Sequence, residues 1–437
     1  MTKQNFVAII NKFSKILESF NLNPVILAFG FITWVFNLTA LGVFTFSLFF
    51  CLILIFCKDV KNIFCPLFFV ATFIPDVFTM TDYTWYYVAV IMAMITMFTV
   101  LTVRAIKERK TVKKGRIFYG FLACTLAFLL GGVVGRFNFL NTLKIIGFSL
   151  ATYVFYFIAV NFTENLKEFF EKVLPIGAFF ICCQIIYGSF LEGEDMVFFN
   201  ALGVNTCAIF VVIGLSCCLG KALGSDKDYL YVIFALFLNA SIIASKSRMA
   251  MFLAVIIDLV YAVILIKNSK NRKIIIAIAL SVFAICLVLT FSIPEFREMV
   301  ENALFGKKGL SGRRKLWDWC LERFCELPVF GYGFYSDVEV PGLRDSVYVI
   351  LAHNTFLQWL TCTGVVGVCL MVVFYFYKYK IVLKGKISNA LSIVISVLAV
   401  EFSGFFDQAT TMDPFLPILV LILVCAIEKQ SDTKLLN

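Results

Sequence analysis

The sequence predicts an all-α fold: a polytopic integral membrane bundle of about 12–14 transmembrane helices with one long extracytoplasmic loop that contains short helices. Three observations carry that expectation. Hydrophobic residues make up 61% of the 437-residue chain and charged residues only 15%, with 51 Phe. Soluble domains carry roughly 25% charged residues, so a mean hydropathy of +0.93 describes a surface that only lipid can cover. The apolar residues fall into runs long enough to cross hydrocarbon, and the basic residues sit in short clusters between alternate runs, as cytoplasmic loops require.

Taken in order, residues 1–21 are amphipathic and Lys-bearing. They read as a cytoplasmic lead-in helix along the membrane, with no cleavable signal peptide. Apolar runs follow near 23–38, 41–57, 63–80, 84–103, 117–134, 139–160, 173–190, 198–220, 229–245, 249–266 and 274–293, and again near 351–377, 388–406 and 414–428. This divides the chain into a lead-in (1–22), a transmembrane bundle (23–293), an extracytoplasmic loop (294–350), C-terminal transmembrane helices (351–428) and a cytoplasmic tail (429–437). With both termini inside, most of the 38 Lys and Arg fall in cytoplasmic connections, densest from Arg104 to Arg116, and Lys378 is counted in the connection 378–387. Acidic turns such as Glu192, Glu194, Asp195 and Asp407, Asp413 land outside.

The same distribution excludes other classes. The net charge of +10 is a topology signal beside anionic headgroups rather than a nucleic-acid footprint. Most of the 15 Cys lie inside apolar runs, where they behave as small hydrophobes. Cys320 and Cys325 fall in the polar loop, but five residues apart on a helix they face different ways. No internal repeat argues for a two-halved transporter.

The loop 294–350 is the one long hydrophilic stretch, and long loops are uncommon unless functional. Its string Gly312–Leu327 has helical spacing, with Leu316, Trp319, Cys320 and Phe324 on one face. Pro328 ends that helix, and Gly331 and Gly333 form a turn. His353, the single His of the chain, stands where the loop re-enters the membrane. One His excludes every multi-His metal site, and a proton acceptor there suits activation of a hydroxyl. Asn354 can cap the following helix or orient the imidazole, and Gly364 and Gly367 permit close helix packing. Arg248 enters an apolar span at a cost of about 2.5–3.5 kcal/mol unless it is paired or wet, and a guanidinium suits phosphate oxygens. Arg313 and Arg314, followed by Lys315, form a basic turn ahead of the loop helix.

In this order the strings resemble the superfamily of O-antigen ligases and O-antigen and capsular polysaccharide polymerases. The resemblance rests on Ser247-Arg248, on Ser311-Gly312-Arg313 with Trp317, on Pro328 with Gly331 and Gly333, and on His353-Asn354 with Leu357. It covers about 245–377 at the level of motifs. Met249, where members often carry a small residue, is a departure. The resemblance implies a membrane glycosyltransferase, metal-independent and inverting, with no cofactor. It would transfer an oligosaccharide from undecaprenyl diphosphate to an acceptor sugar on the outer face of the bacterial cytoplasmic membrane. Its implied site is His353 and Arg248 as catalytic residues, with Arg136, Arg313, Arg314 and Asn354 on the substrate. Implied partners are the lipid-linked donor, a glycan acceptor (a lipid-linked glycan or lipid A core), membrane lipids and a chain-length regulator, with no nucleic acid. The richness in Lys, Ile, Phe and Cys leans towards an AT-rich genome and a bacterium without an outer membrane, hence towards polymerisation over ligation. A polysaccharide flippase is the alternative of another class, and a glycosyltransferase using outer carboxylates and a metal is the enzymatic rival.

Overall fold

The computed structural model describes residues 3–73, 84–108, 112–134, 139–191, 203–294, 297, 313–333, 352–385, 390–405 and 415–432. Among the described residues there are sixteen α-helices, one short 3-10 turn (Lys61–Ile63) and no strand. In hydrocarbon a backbone N–H has no water to bond, so apolar runs close their hydrogen bonds within the segment. The chain runs through α1 (Lys3–Glu18), α2 (Leu22–Val35), α3 (Thr39–Phe56), α4 (Phe64–Phe73), α5 (Thr84–Glu108), α6 (Phe118–Val134), α7 (Phe139–Phe162) and α8 (Leu166–Leu191). It continues through α9 (Gly203–Ala222), α10 (Asp228–Ala244), α11 (Arg248–Asn268), α12 (Arg272–Ser292), α13 (Arg313–Glu326), α14 (Thr355–Lys384), α15 (Leu391–Ser403) and α16 (Phe415–Asp432). The apolar runs of the sequence correspond one to one with α2–α12 and α14–α16, and the loop helix is α13. The protein is an all-α polytopic membrane bundle.

Among the described residues, four helices are long and apolar enough to cross a bilayer: Leu166–Gly188, Gly203–Ala222, Arg248–Asn268 and Thr355–Lys384. Ala8–Glu18 and Leu22–Val35, bent by 68°, make a fifth if counted as one broken span. The count is of the described residues alone: α5, α7 and α12, 25, 24 and 21 residues long, match the length that a span needs. Helices such as Asp228–Ala244 and Leu391–Ser403 are apolar but only 10–17 residues long, which at 1.5 Å per residue falls short of about 30 Å of hydrocarbon.

The chain folds as two compact units, Met1–Lys113 with Asn161–Leu289 and Lys114–Val160 with Thr290–Asn437. In the first, α8 and α9 approach closely because Gly214 has no side chain: a Cβ there would meet the Ala178 Cβ at 2.3 Å. Close approach through small residues is how membrane helices gain packing without a hydrophobic driving force. Buried Asn62 donates to the Leu17 carbonyl at 2.7 Å and accepts from Asn23 at 3.1 Å, joining α1 and α2 to the turn before α4. Arg104 caps α3, its guanidinium donating to the Leu54 carbonyl at 2.5 Å and to that of Cys57.

In the second unit α6 lies against α14 through two glycines. A Cβ on Gly120 would meet Tyr377 and Phe374 at 3.0–3.1 Å, and one on Gly131 would meet the Cys362 carbonyl at 2.8 Å. Glu428 of α16 is buried and accepts from Tyr156 at 2.5 Å and from the Arg116 amide at 3.1 Å. Lys378, which the sequence placed in a cytoplasmic connection, is instead 1% exposed inside α14. It donates to Glu401 of α15 at 2.5 Å, with its ammonium 3.7 Å from the Tyr375 ring centre. An ammonium between apolar helices needs a carboxylate partner.

Candidate functional site

The second unit builds its site from a broken helix. Gly364 has φ 63° and ψ −166°, so α14 is two arms, Thr355–Thr363 and a longer one from Val365 to Lys384. The bend is sharp. A straight helix would hold Thr355 and Lys378 about 35 Å apart, yet Thr355 bonds Gly404 and Lys378 bonds Glu401, three residues away. Gly364 was expected to allow helix packing; it breaks the helix instead. The freed backbone groups are satisfied by the Pro328–Gly333 turn. The amides of Tyr332 and Gly333 donate to the carbonyls of Thr361 and Cys362 at 2.8 and 3.0 Å. In return, the amides of Val365 and Val366 donate to the carbonyls of Pro328 and Val329 at 2.9 and 3.1 Å. This exchange leaves no room for side chains. A Cβ on Gly331 would lie 2.5 Å from Cys362 and Gly364 backbone atoms, and one on Gly364 would lie 2.5 Å from Val329. Both glycines have positive φ, where a Cβ is also strained.

That turn anchors α13. Leu316, Trp319 and Cys320 are buried and share a core with Tyr332, Ala352 and Cys362, while Phe324 is half-buried. Cys325 is exposed, on another side of the helix. The Thr361 hydroxyl donates to the Cys320 carbonyl at 3.2 Å. Arg323 lies over the rings of Trp319 and Tyr332 at 5.7 and 5.8 Å and donates to Glu326. Burial pushes the Cys320 thiol up to about 11, against a smaller lowering by its hydrogen bond with Thr361, so it stays protonated at neutral pH and is no nucleophile.

His353 stands at the head of this assembly. It is half-buried and has φ 46°, a left-handed backbone that costs an L-residue about 1–2 kcal/mol. Strain of that kind persists only where the surroundings over-determine it, and here they do. On one side, the Ala352 amide donates to Gln358 Oε1 at 2.7 Å and its carbonyl accepts from Trp317 Nε1 at 2.8 Å. On the other, Asn354 is the N-cap of α14: its Oδ1 accepts from the Leu357 amide at 2.9 Å and its Nδ2 donates to the Phe405 carbonyl at 2.8 Å. The Thr355 amide donates to the Gly404 carbonyl at 2.7 Å. The imidazole is therefore carried on a backbone fixed from both directions.

The other expected residues are placed differently. Arg313 is half-buried and Arg314 exposed in the first turn of α13, within the unit that holds His353. Arg248 belongs to the first unit, exposed as the first residue of α11 after a turn in which Lys246 has φ 54°. Arg136, like Ser311 and Gly312, lies outside the described residues. No group of three or more potential metal ligands occurs among the described residues. Sequence reasoning missed Gln358, Gly404 and Phe405 as supports of the His353 cap. Gln358 four residues before Cys362 was legible only as a polar residue in an apolar run.

Fold and site together define a polytopic membrane protein whose single imidazole is fixed on a helix cap. Residues 232–372 of the 437 match the model of the family described as O-antigen ligase. The matched stretch contains Arg248, Arg313, Arg314, His353 and Asn354 but not Arg136. None of the curated proteins compared with the chain matches it.

Proposed function

We propose that this protein transfers an oligosaccharide from undecaprenyl diphosphate to an acceptor sugar on the outer face of the bacterial cytoplasmic membrane, polymerising surface polysaccharide. The observation that carries the reading is the fixed cap of His353, within the family match. In the proposed step the acceptor hydroxyl gives its proton to the imidazole, and its oxygen attacks the anomeric carbon with inversion. The bond to the diphosphate breaks, and undecaprenyl diphosphate leaves with the electron pair. Arginines hold the diphosphate and stabilise the charge that builds on it, in the place a divalent cation takes in metal-dependent transferases. Arg248, Arg313 and Arg314 are the proposed cations, with Arg136 a fourth. Asn354 builds the cap and is the proposed substrate contact beside His353. Both termini are cytoplasmic in this reading, and a chain-length regulator is a further proposed partner.

The family description favours a second reading, a ligase that moves the glycan to lipid A core. One experiment separates the two. Purified protein in lipid vesicles is given undecaprenyl-diphosphate oligosaccharide in excess chelator, with and without lipid A core, beside the Arg248→Ala variant. Longer glycans from donor alone, lost in Arg248→Ala, are the result expected. Product only when core is supplied establishes the ligase, and product only on adding a divalent metal overturns the arginine mechanism.

A further inference from the structure

One hydrogen bond in the second unit joins Trp317 to the peptide immediately before His353. Trp317 lies in the second turn of α13, half-buried, and its indole N–H donates to the Ala352 carbonyl at 2.8 Å. The amide of the same residue is held by the Gln358 side chain at 2.7 Å. Ala352 is fully buried, so both of its polar groups depend on these two side chains for hydrogen bonds. The next residue is His353 in its left-handed conformation.

We propose that Trp317 is a positioning residue for His353: the indole donor, opposed by Gln358, sets the orientation of the peptide from which the imidazole projects. This rests on the reading of His353 as the base. The neighbouring Trp319 shows why a merely structural account falls short. Trp319 is 7% exposed and packs in the core with Leu316, Cys320 and Tyr332, so it supplies the packing that holds α13. Trp317 is more exposed, is not part of that core, and spends its polar atom on the residue before the base. The turn bonded into the break at Gly364 supplies the rigidity this requires. The Pro328–Gly333 turn and the Thr361–Cys320 hydrogen bond lock α13 to the first arm of α14, so the indole is held at a fixed place over the loop it bonds. Bases need that precision, because a misplacement of about 1 Å can cost on the order of 100-fold in rate.

The test uses the single histidine of the chain. Protein labelled with nitrogen-15 histidine and held in lipid gives one set of imidazole resonances, all from His353. Trp317→Phe removes the N–H, and 3-benzothienylalanine in place of Trp317 keeps the ring shape without it. Both should lower kcat about 10- to 100-fold, leave the donor KM within twofold, and shift or split the imidazole resonances. The exposed Leu321→Ala on the same helix should change none of these. A wild-type kcat, or imidazole resonances that stay in place, would overturn the proposal. Should Trp317→Phe fail to fold, the benzothienyl protein decides. Full activity in His353→Ala would overturn the base assignment, and with it the catalytic purpose of the clamp, while the resonances would still report whether the indole orients the loop.

Discussion

Two helix starts carry the two residues singled out as catalytic, and they are built alike up to a point. Before α11, Lys246 is left-handed at φ 54° and Ser247 is extended; before α14, His353 is left-handed at φ 46° and Asn354 is extended. There the likeness ends. No side-chain hydrogen bond caps α11 at Ser247, whereas Asn354 caps α14 and also bonds Phe405. Arg248 is the first helical residue and is exposed, while His353 sits on the strained residue itself with its backbone held on both sides. The contrast fits what each chemistry demands. A guanidinium that gathers an anion acts over several ångströms on a long flexible stem. An imidazole that takes a proton must meet it at hydrogen-bond distance.

The comparison can be broken from the side of the rigid cap. Lys378→Met should cost about 3–5 kcal/mol by leaving Glu401 buried without its partner, and it should loosen the end of α15 that carries Gly404 and Phe405. The double change with Glu401→Gln should recover most of that loss, as read by thermal unfolding in detergent. Gly364→Ala should follow, at about 2–4 kcal/mol, because it adds a Cβ at positive φ against the Val329 backbone. Its activity should fall even in the folded fraction, since α13 can no longer dock. The smallest effect sharpens the comparison most. Asn354→Ala should cost about 1–2 kcal/mol as a lost cap, and Ser247→Ala about 0.5 kcal/mol or less. Equal costs at the two starts would remove the distinction drawn here.

Much of this was legible in the sequence, for reasons that also mark where it stopped. Helical spacing of Leu316, Trp319 and Cys320 gave the buried face of α13, because periodicity is local. The break at Gly364 was not legible: its cause is the Pro328–Gly333 turn, some thirty residues earlier, and a glycine in an apolar run reads as packing. Lys378 was read as a loop residue for the same reason, since the carboxylate that lets it be buried is Glu401, on the next helix. His353 stood out in the sequence as the single His, at the point where the loop re-enters the membrane, but the hydrogen bonds that hold the backbone around it involve Trp317, Gln358 and Phe405, which no spacing links. Apolar runs marked α2–α12 and α14–α16, whereas α1 and α13 were legible only from amphipathic spacing.

The central claim is that a base fixed on the α14 cap performs glycan transfer. It is tested most directly by single-turnover transfer from undecaprenyl-diphosphate oligosaccharide in lipid vesicles, comparing wild type with His353→Ala at saturating donor. The account predicts a loss of about 100- to 10,000-fold in the rate of glycan transfer, with donor binding and thermal stability nearly unchanged. Transfer at the wild-type rate by His353→Ala would contradict it.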